Sequence, residues 1–119
     1  MERSGDNIGM DNELKIRVGQ RLIAGFPGYE MSPEFIEAVQ KYKIGNVILF
    51  SRNIKGWDQL KKLCGQIDEL IRTETGIKPF IMIDQEGGMV SRIADAQMNV
   101  PGQMALAGTG NPEMAYRVA

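Results

Sequence analysis

Residues 47–83, VILFSRNIKGWDQLKKLCGQIDELIRTETGIKPFIMI, read as a strand, a helix and a second strand in succession. The stretch opens with Val47 to Phe50, an apolar run rich in strand formers and typical of a parallel strand buried on both faces. Six residues then recur at helical spacing and form one apolar stripe: Leu60, Leu63, Cys64, Ile67, Leu70 and Ile71. Gly76 ends this helix, and the apolar run from Pro79 to Ile83 predicts another buried strand.

The flanking sequence extends the alternation of strands and helices. On the amino side, Leu22 to Phe26 predicts a first strand after a short helix at residues 13–20. Ser32-Pro33-Glu34 supplies an N-cap, a helix-starting proline and an acidic first turn, and predicts a helix over 33–43. On the carboxyl side, Asn111-Pro112-Glu113 has the same pattern of N-cap, proline and acidic residue, and it predicts the start of a last helix after a glycine-containing loop. This order predicts the α/β class with a parallel sheet and right-handed crossovers.

Composition describes one ordinary globular domain. The chain has 119 residues, 43% hydrophobic and 24% charged. We expect a disordered lead-in at residues 1–12 and a single domain at 13–119. The net charge of −1 argues against a nucleic-acid partner, because phosphate binding needs a basic face. No apolar stretch is long enough for a membrane span or a secretory signal, so we expect a cytoplasmic protein without a membrane partner.

The chain contains no histidine, which limits its chemistry. Serine–histidine and cysteine–histidine nucleophile pairs, histidine general bases and histidine-ligated metals are all excluded. The single cysteine, Cys64, lies on the apolar stripe and is expected to be an inert core thiol. We therefore expect no metal site and no cofactor.

Polar residues follow each predicted strand, where ligands gather in parallel α/β folds. The most informative loop begins at Asp84, directly after a buried apolar run, and continues through Glu86 into two glycines. Asp84 and Arg92 together suit a polyol or sugar, because a carboxylate accepts hydrogen bonds from hydroxyls and a guanidinium donates them. The alternative is a structural ion pair between the two that holds the loop.

Two further interpretations concern the same loops. Asp84 and Glu86 are two positions apart in an extended loop, so their side chains should diverge and not form a catalytic carboxylate pair. We expect Glu86 instead to accept hydrogen bonds from backbone amides in the glycine turn. After the second strand, Arg52 and Asn53 could reach a ligand, but a loop-locking role fits Asn53 at least as well.

These motifs resemble the family-3 glycoside hydrolases, in particular the bacterial β-N-acetylhexosaminidase branch. The likeness lies in four stretches with the family's order and spacing: residues 19–28 (GQRLIAGFPG), 44–54 (IGNVILFSRNI), 83–92 (IDQEGGMVSR) and 101–107 (PGQMALA). One departure is Met89, because the family usually has arginine directly after the two glycines. That arginine more often supports the loop than touches the sugar, so the change puts the rigidity of the loop in question.

The resemblance implies a (β/α)₈ barrel that removes terminal β-linked N-acetylglucosamine by a retaining mechanism, often in cell-wall recycling. It implies that Asp84 binds sugar hydroxyls and that Arg92 helps to hold the same sugar. The family's acid/base is a histidine on a later loop, and its nucleophile is an aspartate further on. Neither has a counterpart here, so the resemblance implies that this chain carries no catalytic residue.

A complete barrel needs about 250 residues, and three predicted strands make this chain the first, incomplete part of one. A chain that stops inside a helix suggests a truncated gene, and we expect it to be inactive alone. Exposed edge strands predict self-association or pairing with the missing remainder of the barrel. Two alternatives stay open, namely part of a family-3 β-glucosidase and a non-catalytic sugar-binding or assembly module.

Overall fold

The computed structural model of the protein describes residues 11–93 and 100–119. The predicted disordered lead-in lies outside these residues except at its end, where Asn12 is already the first residue of a helix. The elements, in chain order, are α1 (Asn12–Gly19), β1 (Ile23–Ala24), α2 (Pro33–Tyr42), β2 (Asn46–Leu49), a 3₁₀ turn (Ser51–Asn53), α3 (Trp57–Thr75), β3 (Ile81–Ile83), α4 (Gln103–Gly108) and α5 (Pro112–Val118).

The three strands form one parallel sheet in the order β1-β2-β3. Val47 in the central strand is in register with Ala24 on one side and Ile81 on the other. Helices α2 and α3 are the two crossovers between neighbouring strands. The prediction of an α/β fold with a parallel sheet is confirmed.

The sequence sets where the crossover helices begin and end. At the start of α2, the Ser32 hydroxyl accepts a hydrogen bond from the Phe35 amide at 3.2 Å, and Pro33 occupies the first helical position. Lys43 ends this helix in the left-handed conformation, with φ of 54°. Helix α3 ends at Gly76, whose φ of 75° costs glycine little because it has no Cβ.

The core lies between the sheet and the two crossover helices. Val47 and Leu49 of β2 are 0% and 2% exposed and pack against apolar side chains of α2 and α3. The buried apolar residues are Phe26, Phe35, Val39, Ile44, Val47, Leu49, Leu60, Leu63, Ile67 and Ile71. Because side chains alternate along a strand, Ile23, Ile48 and Met82 belong to the other side of the sheet. We call this side, which α2 and α3 do not cover, the open face.

The outer strands are shorter and less buried than the sequence predicts. Strand β1 covers only Ile23–Ala24 of the expected 22–26, and Ile23 is 53% exposed. Strand β3 begins at Ile81, its residues are half-buried, and Phe80 is 73% exposed. The predicted strand is thus present at Ile81–Ile83, but its predicted burial is wrong, because among the described residues β3 has a neighbouring strand on one side only.

The last described segment has little contact with this core. Helix α4 was not predicted, since residues 103–108 form no apolar stripe, and neither α4 nor α5 contains a buried residue. Helix α5 begins as predicted at Asn111, whose side chain accepts hydrogen bonds from the amides of Glu113 and Met114 at 3.1 and 3.4 Å. Across the described ranges, no helix is both long enough and apolar enough to cross a membrane.

Candidate functional site

The candidate site is the rim of the sheet, formed by the loops that leave the carboxyl ends of the three strands. These are the β1 loop (residues 25–29), the β2 loop (residues 50–53) and the β3 loop (residues 84–92). Since the strands are parallel and adjacent, all three loops emerge at one edge.

Asn53 fastens the β2 loop to the β1 loop. Its side chain is 0% exposed. Its Nδ2 donates to the carbonyl oxygens of Phe26 at 2.9 Å and Gly28 at 2.8 Å, and its Oδ1 accepts from the Phe50 amide at 2.9 Å. The predicted loop-locking role of Asn53 is confirmed.

Gln85 stabilises the β3 loop, a role that the sequence analysis assigned to Glu86. The Gln85 Oε1 accepts from the backbone amides of Arg92 at 2.8 Å and Ile93 at 3.4 Å, while its Nε2 donates to the Ser91 hydroxyl at 2.9 Å. The Glu86 side chain is exposed and, within the described ranges, accepts no hydrogen bond. The prediction for Glu86 is wrong because a carboxylate only accepts, whereas this loop needs both a donor and an acceptor.

The two glycines of the β3 loop pack closely against residues 100–102. Gly87 and Gly88 have φ angles of 82° and 58°. A Cβ on Gly87 would lie 2.8 Å from the Val100 carbonyl oxygen, and one on Gly88 would lie 2.9 Å from the Gly102 Cα. The Gly88 amide donates to the Val100 carbonyl at 2.9 Å. The fully exposed side chain of Met89 takes no part in this packing, so backbone contacts support the turn.

Asp84 follows β3 directly, and its side chain is exposed. It is two residues after Met82, so continued alternation places it on the open face. Throughout the described part of the chain, its carboxylate forms neither a hydrogen bond nor an ion pair. The alternative of a structural ion pair with Arg92 is therefore wrong, and Asp84 keeps all its acceptor positions available to water or a ligand.

Arg92 lies at the end of the same loop and is half-buried. Its Nε is buried and has no hydrogen-bond partner among the residues that the structure describes. Its Cζ lies 5.9 Å from the centre of the Phe50 ring, and the Cζ of Arg52 lies 4.7 Å from the same centre. Arg52 also donates from Nε to the Phe26 carbonyl at 3.3 Å. The structure thus brings both predicted residues, Asp84 and Arg92, to one loop at the rim without pairing them.

The remaining titratable groups offer little for catalysis. Within residues 11–93 and 100–119, no group of three or more acidic, cysteine or histidine side chains could hold a metal ion. Burial raises the pKa of the Cys64 thiol above its usual value, which lowers its reactivity. Cys64 packs against the core cluster, as expected of an inert thiol.

Comparison with known proteins identifies the family of this chain. Residues 13–119 match the family described as "Glycosyl hydrolase family 3 N terminal domain". A β-hexosaminidase from Alkalilimnicola ehrlichii is 35% identical over 86 residues, which are 72% of this chain and 24% of that protein. The chain therefore spans about a quarter of the length of this relative.

Two solved structures have a similar fold. The family-3 β-N-acetylglucosaminidase from Paenibacillus sp. FPU-7 superposes with a TM-score of 0.80 at 37% identity, over 88% of this chain and 20% of that one. NagZ from Neisseria gonorrhoeae in complex with N-trifluoroacetyl-D-glucosamine gives a TM-score of 0.65 at 27% identity, over 82% and 27% respectively. The chain thus belongs to glycosyl hydrolase family 3, within its bacterial β-hexosaminidase branch.

Proposed function

We propose that this chain supplies part of the sugar-binding subsite of a retaining glycosidase that removes terminal β-linked N-acetylglucosamine. Support comes from the matched relatives, which are named β-hexosaminidases, and from the neighbouring structure that binds N-trifluoroacetyl-D-glucosamine. The sugar-binding residues in this proposal are Asp84 and Arg92.

The observation that carries the proposal is the state of Asp84. A carboxylate at the end of a parallel strand, exposed and without a partner in the described residues, is ready to accept hydrogen bonds from sugar hydroxyls. Asn53 and Gln85, the neighbouring amides of the rim, bond within the chain. Arg92 adds guanidinium donors to the same loop, so donor and acceptor groups can bind one polyol.

The catalytic groups of this proposal lie outside the 119 residues. The chain has no histidine, so the acid/base histidine implied by the family must come from another segment, as must the nucleophilic aspartate. We propose residues 13–119 as the first three βα units of a (β/α)₈ barrel, which needs about 250 residues in all. This chain by itself is then inactive.

The exposed apolar residues support a further part of the proposal, namely that more βα units cover the open face. Ile23 at one edge of the sheet and Phe80 at the other are 53% and 73% exposed, and within the described part of the chain each outer strand has an unpaired edge. Such edges pair with other strands or aggregate. These units belong either to a longer form of the same protein or to a second copy. Sedimentation velocity should show a multimer of the isolated chain, and a stable monomer would contradict this part.

The test of sugar binding uses the chain in titration calorimetry or NMR with N-acetylglucosamine, with glucose in parallel. We expect Asp84→Asn to weaken binding by about 10- to 100-fold, because it removes a charged hydrogen-bond acceptor. If the wild type and this variant bind the sugar with equal affinity, Asp84 is not a sugar-binding residue.

The test of catalysis concerns the reading frame beyond Ala119. A Lys-His-Phe-Pro-like segment followed by a Ser-Asp motif is expected there, and the absence of both would contradict a catalytic parent. The complete protein should hydrolyse 4-nitrophenyl β-N-acetylglucosaminide faster than the matching β-glucoside. The reverse preference would favour a β-glucosidase.

A further inference from the structure

Two cationic side chains from different loops lie near the Phe50 ring. Arg52 belongs to the β2 loop, and its Cζ is 4.7 Å from the ring centre. Arg92 ends the β3 loop, and its Cζ is 5.9 Å from the same centre. Both distances fall within the range of about 6 Å in which an aromatic face attracts a cation.

The Phe50 ring is an aromatic neighbour of the Arg92 guanidinium. Across residues 11–93 and 100–119, the buried Nε of Arg92 has no hydrogen-bond partner and its guanidinium forms no ion pair. Gln85 holds the backbone of Arg92 through its amide, but this bond does not orient the side chain. A long side chain without hydrogen bonds needs another contact to stay in one place.

The backbone that carries the ring is firmly held. The Phe50 amide donates to the Oδ1 of Asn53, which is wholly buried and bonded to the β1 loop. Arg52 is tethered to that loop as well, through its bond to the Phe26 carbonyl. The ring therefore connects a rigid part of the rim to the guanidinium of the β3 loop.

From this arrangement we infer that Phe50 is a positioning residue, which holds the Arg92 guanidinium at the rim for the sugar. The inference builds on the proposed function, because it assigns Phe50 a role in the affinity for N-acetylglucosamine. A cation–π attraction uses the face of the ring and none of the N–H donors, so the terminal nitrogens of Arg92 remain able to donate to a ligand. Phe50 itself need not contact the sugar.

The first experiment needs no ligand. The Nε–H signal of Arg92, assigned by its loss in Arg92→Lys, should carry a ring-current shift in the NMR spectrum of the chain. Phe50→Leu should abolish this shift, while Phe50→Tyr, which keeps an aromatic face, should retain it. If Phe50→Leu does not fold, Phe50→Met serves as the second variant without a ring. An Arg92 signal that is unchanged without the ring would overturn the inference.

The second experiment measures affinity for N-acetylglucosamine. Phe50→Leu should weaken binding by about 2- to 25-fold, the effect of losing one cation–π contact, and Phe50→Tyr should restore most of the affinity. Phe80→Leu removes an exposed ring at the other end of the sheet and should change nothing. If Asp84→Asn loses binding but Phe50→Leu does not, Phe50 does not position Arg92 for the sugar, while the proposed function is still supported. If the wild type binds no sugar, the proposed function fails, and the ligand-free spectra still decide whether Phe50 positions Arg92.

Discussion

Asn53 and Asp84 occupy comparable places, since each follows a strand of the sheet, yet they use their polar atoms in opposite ways. Asn53 is wholly buried and forms three hydrogen bonds to the backbone of its own chain. Asp84 is exposed, and the described structure gives its carboxylate no partner. The comparison teaches that position at the rim does not by itself identify a binding residue. Polar atoms left unbonded at the rim distinguish a candidate for ligand contact from a structural residue.

The largest expected effect on stability comes from Asn53, the structural residue of this pair. Asn53→Ala should lower the free energy of unfolding by about 2–4 kcal/mol, because it leaves buried carbonyl and amide groups without partners. Urea denaturation followed by circular dichroism measures this loss. Asn53→Asp keeps the acceptor but not the donors, so it should destabilise the fold as well. A stable Asn53→Ala protein would show that these bonds do not hold the rim.

The next effect concerns the glycine turn that carries the β3 loop. Gly87→Ala should destabilise the protein by about 1–3 kcal/mol, because alanine is strained at a φ of 82° and its Cβ would collide with the Val100 carbonyl oxygen. Hydrogen exchange should also show weaker protection of the Gly88 amide, which bonds to that carbonyl. Unchanged protection would mean that residues 100–102 adapt to the added methyl group.

Gly65 provides the matched control for this change. It lies inside α3, and a Cβ there would meet no atom within 4 Å. Gly65→Ala should therefore stabilise the protein by about 0.5–1 kcal/mol, since alanine favours a helix interior over glycine. The midpoint of urea unfolding should rise. A fall would indicate that the exposed side of α3 is covered by another molecule in solution.

The smallest effect on stability should come from a substitution of Asp84, the exposed residue that was compared with Asn53. Asp84→Ala should change the free energy of unfolding by less than about 0.5 kcal/mol, because no bond to the carboxylate is lost. The same substitution should remove most of the affinity for N-acetylglucosamine, and parallel denaturation and titration experiments measure the two effects. A large loss of stability would place Asp84 with Asn53 among the structural residues.

The sequence predicted those parts of the fold whose signals are local. The apolar stripe and Gly76 predicted α3, and the Ser32-Pro33 start predicted α2. The burial of β3 could not be predicted, because it depends on whether a neighbouring strand lies beside it. Helix α4 was missed for a related reason, since a helix without a buried face has no apolar stripe to detect.

The site residues likewise divide into those with a local sequence signal and those without one. Asp84 was identified because it comes directly after an apolar run, and Asn53 because it lies in the loop that follows one. Gln85 was overlooked in favour of Glu86, although an amide beside a turn is the better residue where both donors and acceptors are needed. The contacts of Phe50 with two arginines join separate loops, so spacing along the chain gives no sign of them.

Asn46, at the opposite end of the sheet, has a consequence for the rim. Its Nδ2 donates to the carbonyls of Gln20 and Leu22, and its Oδ1 accepts from the Phe80 amide. One side chain thus ties together the approaches to all three strands. A slip of β3 by one residue would turn its side chains over and direct Asp84 towards the helices. The side of the sheet on which the carboxylate emerges is therefore decided where the strands begin, at the end of the sheet opposite the rim.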